Sequence, residues 1–208
     1  MTTLLVIAKE PRPGRVKTRL TPPFTPAQAA GLAEASLADT LDAVAAAPAG
    51  RRVLVLDGEP GPWLPAGFDV VPQCAGGLDA RLADAFAHCR GPALLIGMDT
   101  PQVTPDLLTV DFADCDAYFG PAEDGGFWAL GLADPDPALL RGVPMSTAQT
   151  GAVQRRRLVA AGLRVADLPL LRDVDTAADA SAVAALAPHG RFAARLAESP
   201  ARRGTGRR

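Results

Sequence analysis

Cysteine is scarce: the 208 residues hold three, Cys74, Cys89 and Cys115, and no two stand in a CxxC spacing. An odd, scattered set argues against a disulfide framework and against a thiolate zinc site. Histidine is scarcer. His88 and His189 are isolated, and neither completes a triad with a Ser or Cys nucleophile. No apolar run approaches the roughly 18 residues that a membrane span needs. The apolar stretch at residues 3–8 is too short for a secretory signal. Excess charge is missing too: the net value of -2 gives no global attraction to nucleic acid or to an anionic membrane. The expectation is a soluble, cytoplasmic protein with neither nucleic acid nor membrane as partner.

Apolar material is plentiful. At 48% hydrophobic residues the chain can fill one sizeable core. A single domain over 1–198 is expected, followed by a disordered basic tail at 199–208 that includes "ARRGTGRR". Short apolar runs alternate with amphipathic Ala/Leu-rich segments, which argues for α/β layering. Strands are expected at 3–8, 52–57, 68–72 and 93–99, mostly buried on both faces. Further candidates lie at 116–122, 127–132 and 163–168. Thr25, Pro26 and Gln28 supply the N-cap, N1 proline and N3 partner of a capping box before a long helix. Thr104-Pro105 repeats the cap-proline signal. Other helices are expected after "AGG" (75–77), over about 148–161, and near 181–198.

The segment "AKEPRPGRVKTRL" (8–20) follows the first strand directly. It is not a P-loop, because that motif needs a glycine immediately before its lysine and here Val16 precedes Lys17. Pro11 and Pro13 remove two amide donors and favour an extended path. What remains is a cluster of cations: Lys9, Arg12, Arg15, Lys17 and Arg19, opposed only by Glu10. In an extended chain Lys17 and Arg19 point the same way. A solvated basic turn is one reading. The other is a side-chain grip on phosphate, favoured because ligands of open α/β sheets collect at the carboxyl ends of strands.

Carboxylates stand after later strands. In "GMDTP" (97–101) Asp99 follows a buried strand, where it can anchor Mg²⁺ or cap the next turn. In "EDGGFW" (123–128) Asp124 precedes Gly125 and Gly126, which allow close backbone approach, and Phe127 and Trp128 fill either a pocket or the core. "LRDVDTAADA" (171–180) offers Asp173 and Asp175 before a helix that Asp175 or Thr176 is placed to cap. Asp173, read with the opposite side-chain direction, is the weaker ligand candidate. In "PQCAGGLDAR" (72–81), Gly76 and Gly77 stand at a helix start that admits a base or ribose, and Arg81 is within reach of phosphates; a plain helix-start turn is the alternative. Ser146 or Thr147 of "PMSTAQT" (144–150) is expected to cap the following helix.

"KTRL", "GMDTP" and "EDGGFW", in that order, resemble small glycosyltransferase-A-type (nucleotide-diphospho-sugar transferase superfamily) transferases often encoded beside radical-SAM proteins. These are similar in turn to the 2-phospho-lactate and molybdenum-cofactor guanylyltransferases. The resemblance spans about residues 3–180 and implies a three-layer α/β/α Rossmann-like fold with a mixed central sheet. It implies that Lys9, Gly14, Lys17, Arg19, Gln73, Gly76, Gly77 and Arg81 bind the nucleotide. It further implies that Asp124, Gly125, Gly126, Phe127 and Trp128 face the acceptor, and that Asp99 and Asp175 hold Mg²⁺ or Mn²⁺. Two departures stand out: "GLDAR" replaces the more usual "DLGER", and Met145 occupies a position where Trp is common.

No nucleophile–base pair is visible, and the implied chemistry needs none, since the acceptor itself attacks and catalysis is positioning plus charge neutralisation. Lys17, Arg19 and Asp99 are the expected catalytic residues. Nucleotidyl transfer from a nucleoside triphosphate to a small phosphorylated acceptor is favoured by the dense cations and the single Asp of "GMDTP". Glycosyl transfer from a nucleotide-sugar is the alternative, and a non-catalytic nucleotide-binding protein is the alternative from another class.

Overall fold

Residues 1–199 are described in a computed structural model. From residue 200 on, the expected basic tail lies outside the described residues. Each expected strand is present: β1 (Thr3–Lys9), β2 (Arg51–Asp57), β3 (Asp69–Pro72), β4 (Ala93–Ile96), β5 (Ala117–Pro121), β6 (Phe127–Leu132) and β7 (Val165–Asp167). They form one mixed sheet in the order β3-β2-β1-β4-β6-β5-β7. Strand β6 runs antiparallel to β4 and β5, and the other neighbours are parallel.

Helix α1 (Pro26–Ala46) begins at the predicted capping box: the Thr25 hydroxyl accepts from Gln28 N, and the Gln28 side chain accepts from Thr25 N. It covers one face of the sheet, packing on Leu4, Val6, Leu54, Leu56 and Ile96. Helices α2 (Leu78–Ala87) and α3 (Thr150–Ala160) cover the other, where Phe86 and Leu158 meet Leu5, Val53 and Leu95. Two short helices, α4 (Ala177–Leu186) and α5 (Arg191–Ala197), form a separate small core against α1. With α1 buried on both sides, its Ala/Leu pattern runs nearly all round the helix.

Several expectations needed correction. Strand β3 is the sheet's edge and largely exposed, so it is not buried on both faces. The Thr104-Pro105 signal opens only a 3-10 turn over Pro105–Leu108. Residues 12–15 turn, with Arg15 N donating to Arg12 O, and Thr18–Leu20 form a second 3-10 turn; neither stretch is extended. Neither Ser146 nor Thr147 directly precedes α3; Gln149 does, without a side-chain cap.

Strand β1 has β2 on one side and β4 on the other, so sheet growth reverses at β1. At such a reversal the loops leaving the carboxyl ends diverge and open a crevice. Here it is a cleft of about 830 Å³.

Candidate active site

Lys17 is the hub of the cleft. Its backbone is left-handed (φ 47°, ψ 40°), an uncommon conformation for a residue with a Cβ. That conformation turns the side chain across the cleft, leaving it only 8% exposed. The ammonium lies 2.8 Å from Asp99 Oδ1 and 3.5 Å from Asp175 Oδ1, and it also donates to the Val174 carbonyl. Arg19 Nη1 reaches Asp175 Oδ2 at 3.0 Å while its side chain stays 74% exposed. Lys17 and Arg19 do converge, through a turn and a shared carboxylate.

Asp99 stands three residues beyond the end of β4. Its carbonyl accepts from Val174 N at 3.0 Å, tying the loop after β4 to the segment before α4. Thr176 caps α4 in a capping box with Asp179, which leaves Asp175 free to face the cations.

Asp173 is a stronger site candidate than its sequence context suggests. In the irregular run before α4 it lines the cleft alongside Asp175, two positions away, while Val174 between them is buried in the core. Residues two apart on an extended chain share a face, so the opposite direction expected for Asp173 was in error. Its Oδ1 is buried without a hydrogen-bond partner. Burial first, then the nearby Asp99 and Asp124, push its carboxyl up to about 7, with Lys17 opposing. Thr100, 1% exposed, also lines the cleft with an unpartnered hydroxyl. The sequence signal for Asp173 was its i, i+2 spacing from Asp175; for Thr100 there was none beyond adjacency to Asp99.

The donor set suits a hard divalent cation: it consists of carboxylate oxygens, and a cation, the Lys17 ammonium, already sits between two of them. Among the described residues no three His, Cys, Asp or Glu side chains are arranged to hold an ion unaided. Mg²⁺ takes one or two protein carboxylates and completes its shell with phosphate and water. Asp99 and Asp175 are the residues that would hold it.

Other predicted residues take different places. Lys9, Gly76, Arg81, Gly126 and Phe127 line the cleft, whereas Gly14, Gly77 and Gly125 are not among its lining residues. Gln73 Nε2 donates to the carbonyls of Ala8 (2.7 Å) and Val55 (3.1 Å), and its Oε1 accepts from Arg81 Nη1. The side chain therefore ties strand ends together and aims Arg81, which also bonds Asp57. Trp128 is 2% exposed and donates its indole N–H to Pro169 O, so most of its ring belongs to the core. Gly125 (φ 87°) lets the turn after Asp124 press against the loop before α3: a Cβ there would strike the Ala148 carbonyl, and Gly151 N donates to Gly125 O at 2.8 Å. Arg15, one of the cations of the expected phosphate grip, also lines the cleft, and so do Ser146 and Thr147, which were expected only as helix caps.

A family model described as "Uncharacterized protein conserved in bacteria (DUF2064)" matches residues 33–147. The chain belongs to this family. The DUF2064 match takes in Asp99 and Asp124 but stops short of Lys17 on one side and Asp175 on the other. No curated protein matches the chain. Among solved structures, a protein of Desulfovibrio desulfuricans G20, provisionally assigned as a nucleotide-diphospho-sugar transferase, is similar over 95% of each chain, with 25% identity and a TM-score of 0.85. The CMP:2-keto-3-deoxy-manno-octonic acid synthetase, solved with CTP, is similar over 90% of this chain and 99% of its own, at 14% identity and TM-score 0.57. The 2-C-methyl-D-erythritol 4-phosphate cytidylyltransferase of Thermus thermophilus matches over 90% of this chain and 100% of its own, at 19% identity and TM-score 0.52. This DUF2064 chain thus has the α/β fold that such transferases share.

Proposed function

We propose that the protein is a Mg²⁺-dependent transferase that passes the nucleotidyl group of a nucleoside triphosphate to a small acceptor. The observation that carries this reading is the junction of Lys17 with Asp99 and Asp175, with Arg19 on the same carboxylate, at the reversal point of the sheet. Cations and carboxylates meet there in a cleft large enough for a nucleotide. The similarity to two cytidylyl-transferring folds supports the same reading.

In the proposed step an acceptor oxygen bonds to the α-phosphorus and the bond from that phosphorus to the pyrophosphate oxygen breaks. Pyrophosphate leaves, and the acceptor proton passes to water. Lys17 and Arg19 neutralise charge on the departing phosphates, while Lys9 and Arg15 extend the same cationic wall. Asp99 and Asp175 would hold Mg²⁺, which when bound supplies a Lewis acid and a template for the donor phosphates. Loss of one cationic donor of this kind costs about 10²–10³ in rate.

A second reading, glycosyl transfer from a nucleotide-diphospho-sugar, draws on the Desulfovibrio protein, similar over 95% of its length. A thermal-shift panel of the four nucleoside triphosphates and common nucleotide-sugars, with and without Mg²⁺, separates the two. A ligand at about 100 times its Kd adds roughly 2.7 kcal/mol, or roughly 5–10 °C for a chain of this length. A Mg²⁺-dependent triphosphate shift is the expected result; a shift with nucleotide-sugars alone transfers the argument to glycosyl transfer. Absence of any shift refutes the nucleotide reading.

A further inference from the structure

The two walls of the cleft differ in charge. Among the described residues every cation lining it, Lys9, Arg15, Lys17, Arg19 and Arg81, comes from the end of β1, the loop after it, or α2. The facing wall is built by the segments after β4, before β6, before α3 and before α4. Among its described lining residues there is no Lys or Arg. Beside Asp99 and Asp175, which are paired with the Lys17 ammonium, it presents Asp124 and Asp173, the hydroxyls of Thr100, Ser146 and Thr147, and the half-buried ring of Phe127. Two of its polar atoms, Asp173 Oδ1 and the 1%-exposed Thr100 Oγ1, are buried without a partner in the protein. Buried polar atoms left unpaired in this way call for a partner from outside the chain. Ser146 also holds a left-handed backbone (φ 59°), a local strain of the kind found where a loop is shaped for a ligand.

Given the nucleotidyl-transfer reading above, on which this inference rests, we propose that the acceptor is an unphosphorylated polyhydroxyl compound, neutral or bearing an amine. Its hydroxyls donate to the Asp124 and Asp173 carboxylates and exchange hydrogen bonds with Thr100, and its apolar face lies on Phe127. One hydroxyl oxygen bonds to the α-phosphorus of the triphosphate, the bond from that phosphorus to pyrophosphate breaks, and the hydroxyl proton leaves to water. A phosphate on the acceptor would meet Asp124 and Asp173 on a wall with no Lys or Arg of its own, where the Lys17 ammonium is already paired with Asp99 and Asp175, and charge so placed selects against such a ligand. The proposed acceptor departs from the phosphorylated one expected from the sequence.

The test is pyrophosphate release by the full chain with Mg²⁺ and the triphosphate that shifts its melting temperature. Free sugars, sugar alcohols and amino sugars are compared with the phosphomonoesters of the same compounds. Members of the first set should be preferred by roughly tenfold or more in kcat/KM. In Asp124→Asn, which keeps an oxygen for the Gly126 N–H bond, KM for the preferred acceptor should rise roughly tenfold with the triphosphate shift unchanged. Preference for the phosphomonoesters overturns the proposal, and so does release stimulated by neither set while the triphosphate still binds. A protein that binds no triphosphate at all instead refutes the nucleotidyl-transfer reading on which the proposal stands.

Discussion

Lys17 sits where a divalent cation would be held, and the two compete for the same oxygens. Its ammonium is 2.8 Å from Asp99 and 3.5 Å from Asp175, in a cleft where water only partly screens it. An ion entering between these carboxylates must displace or repel that charge. Lys17→Met keeps the aliphatic stem and removes the charge. Without nucleotide, the variant should bind Mn²⁺ roughly tenfold more tightly than the parent, read by electron paramagnetic resonance or calorimetry. Asp99→Asn should move affinity the other way. If Lys17→Met binds Mn²⁺ no better than the parent, the ammonium is not standing in for the ion. Turnover would nonetheless fall in Lys17→Met, because the freed lysine is the charge proposed to meet the departing pyrophosphate.

At the level of elements, legibility followed the strength of local signals. Every strand was readable because each is a short apolar run bounded by turn residues. The start of α1 was readable because Thr25, Pro26 and Gln28 each act locally. Burial of β3 was misjudged, since an apolar run does not say whether the strand sits at the centre or the edge of a sheet. The Thr104-Pro105 signal was real but had only a 3-10 turn to start. Around the cleft, the places of Asp99 after a strand and of Asp175 before a helix were legible. Asp173 and Thr100 were not, because their unpartnered atoms exist only once distant segments close over them. The turn at Gly125 illustrates the same limit: its double glycine was visible, but not its contact with the Ala148 carbonyl. Gly125→Ala should cost about 1–3 kcal/mol from the positive φ alone, with the collision adding to it. Thermal denaturation should show the loss. Binding of the acceptor should weaken more than binding of the nucleotide, because the displaced loop carries Ser146 and Thr147. Equal losses at both sites would mean that this loop does not shape one end of the cleft selectively.

The whole molecule has to bring together two segments that lie 156 residues apart, Arg19 and Asp175 being the pair that measures the span. Neither falls within the stretch matched by the family model. The small core outside α1 does this work: Leu20 follows Arg19, Val174 precedes Asp175, and both pack with Ala29, Leu32, Val183 and Phe192. Asp39 of α1 reinforces the clamp by accepting from Arg191 N (2.9 Å) and Phe192 N (2.8 Å) at the start of α5. Helices α4 and α5 thus position the site without lining the cleft. Phe192, 2% exposed, is with Phe24 one of the two largest side chains in this core, and Phe192→Ala should cost about 3–5 kcal/mol. For this length that is a fall of roughly 6–20 °C in Tm. The exposed Leu186 of α4 provides the control, since Leu186→Ala should stay within about 0.5 kcal/mol. Measured well below its lowered Tm, Phe192→Ala should also bind Mn²⁺ more weakly, because Asp175 loses the packing that sets its distance from Asp99. A variant that melts early yet binds Mn²⁺ as tightly as the parent would mean that this core stabilises the chain without positioning the site.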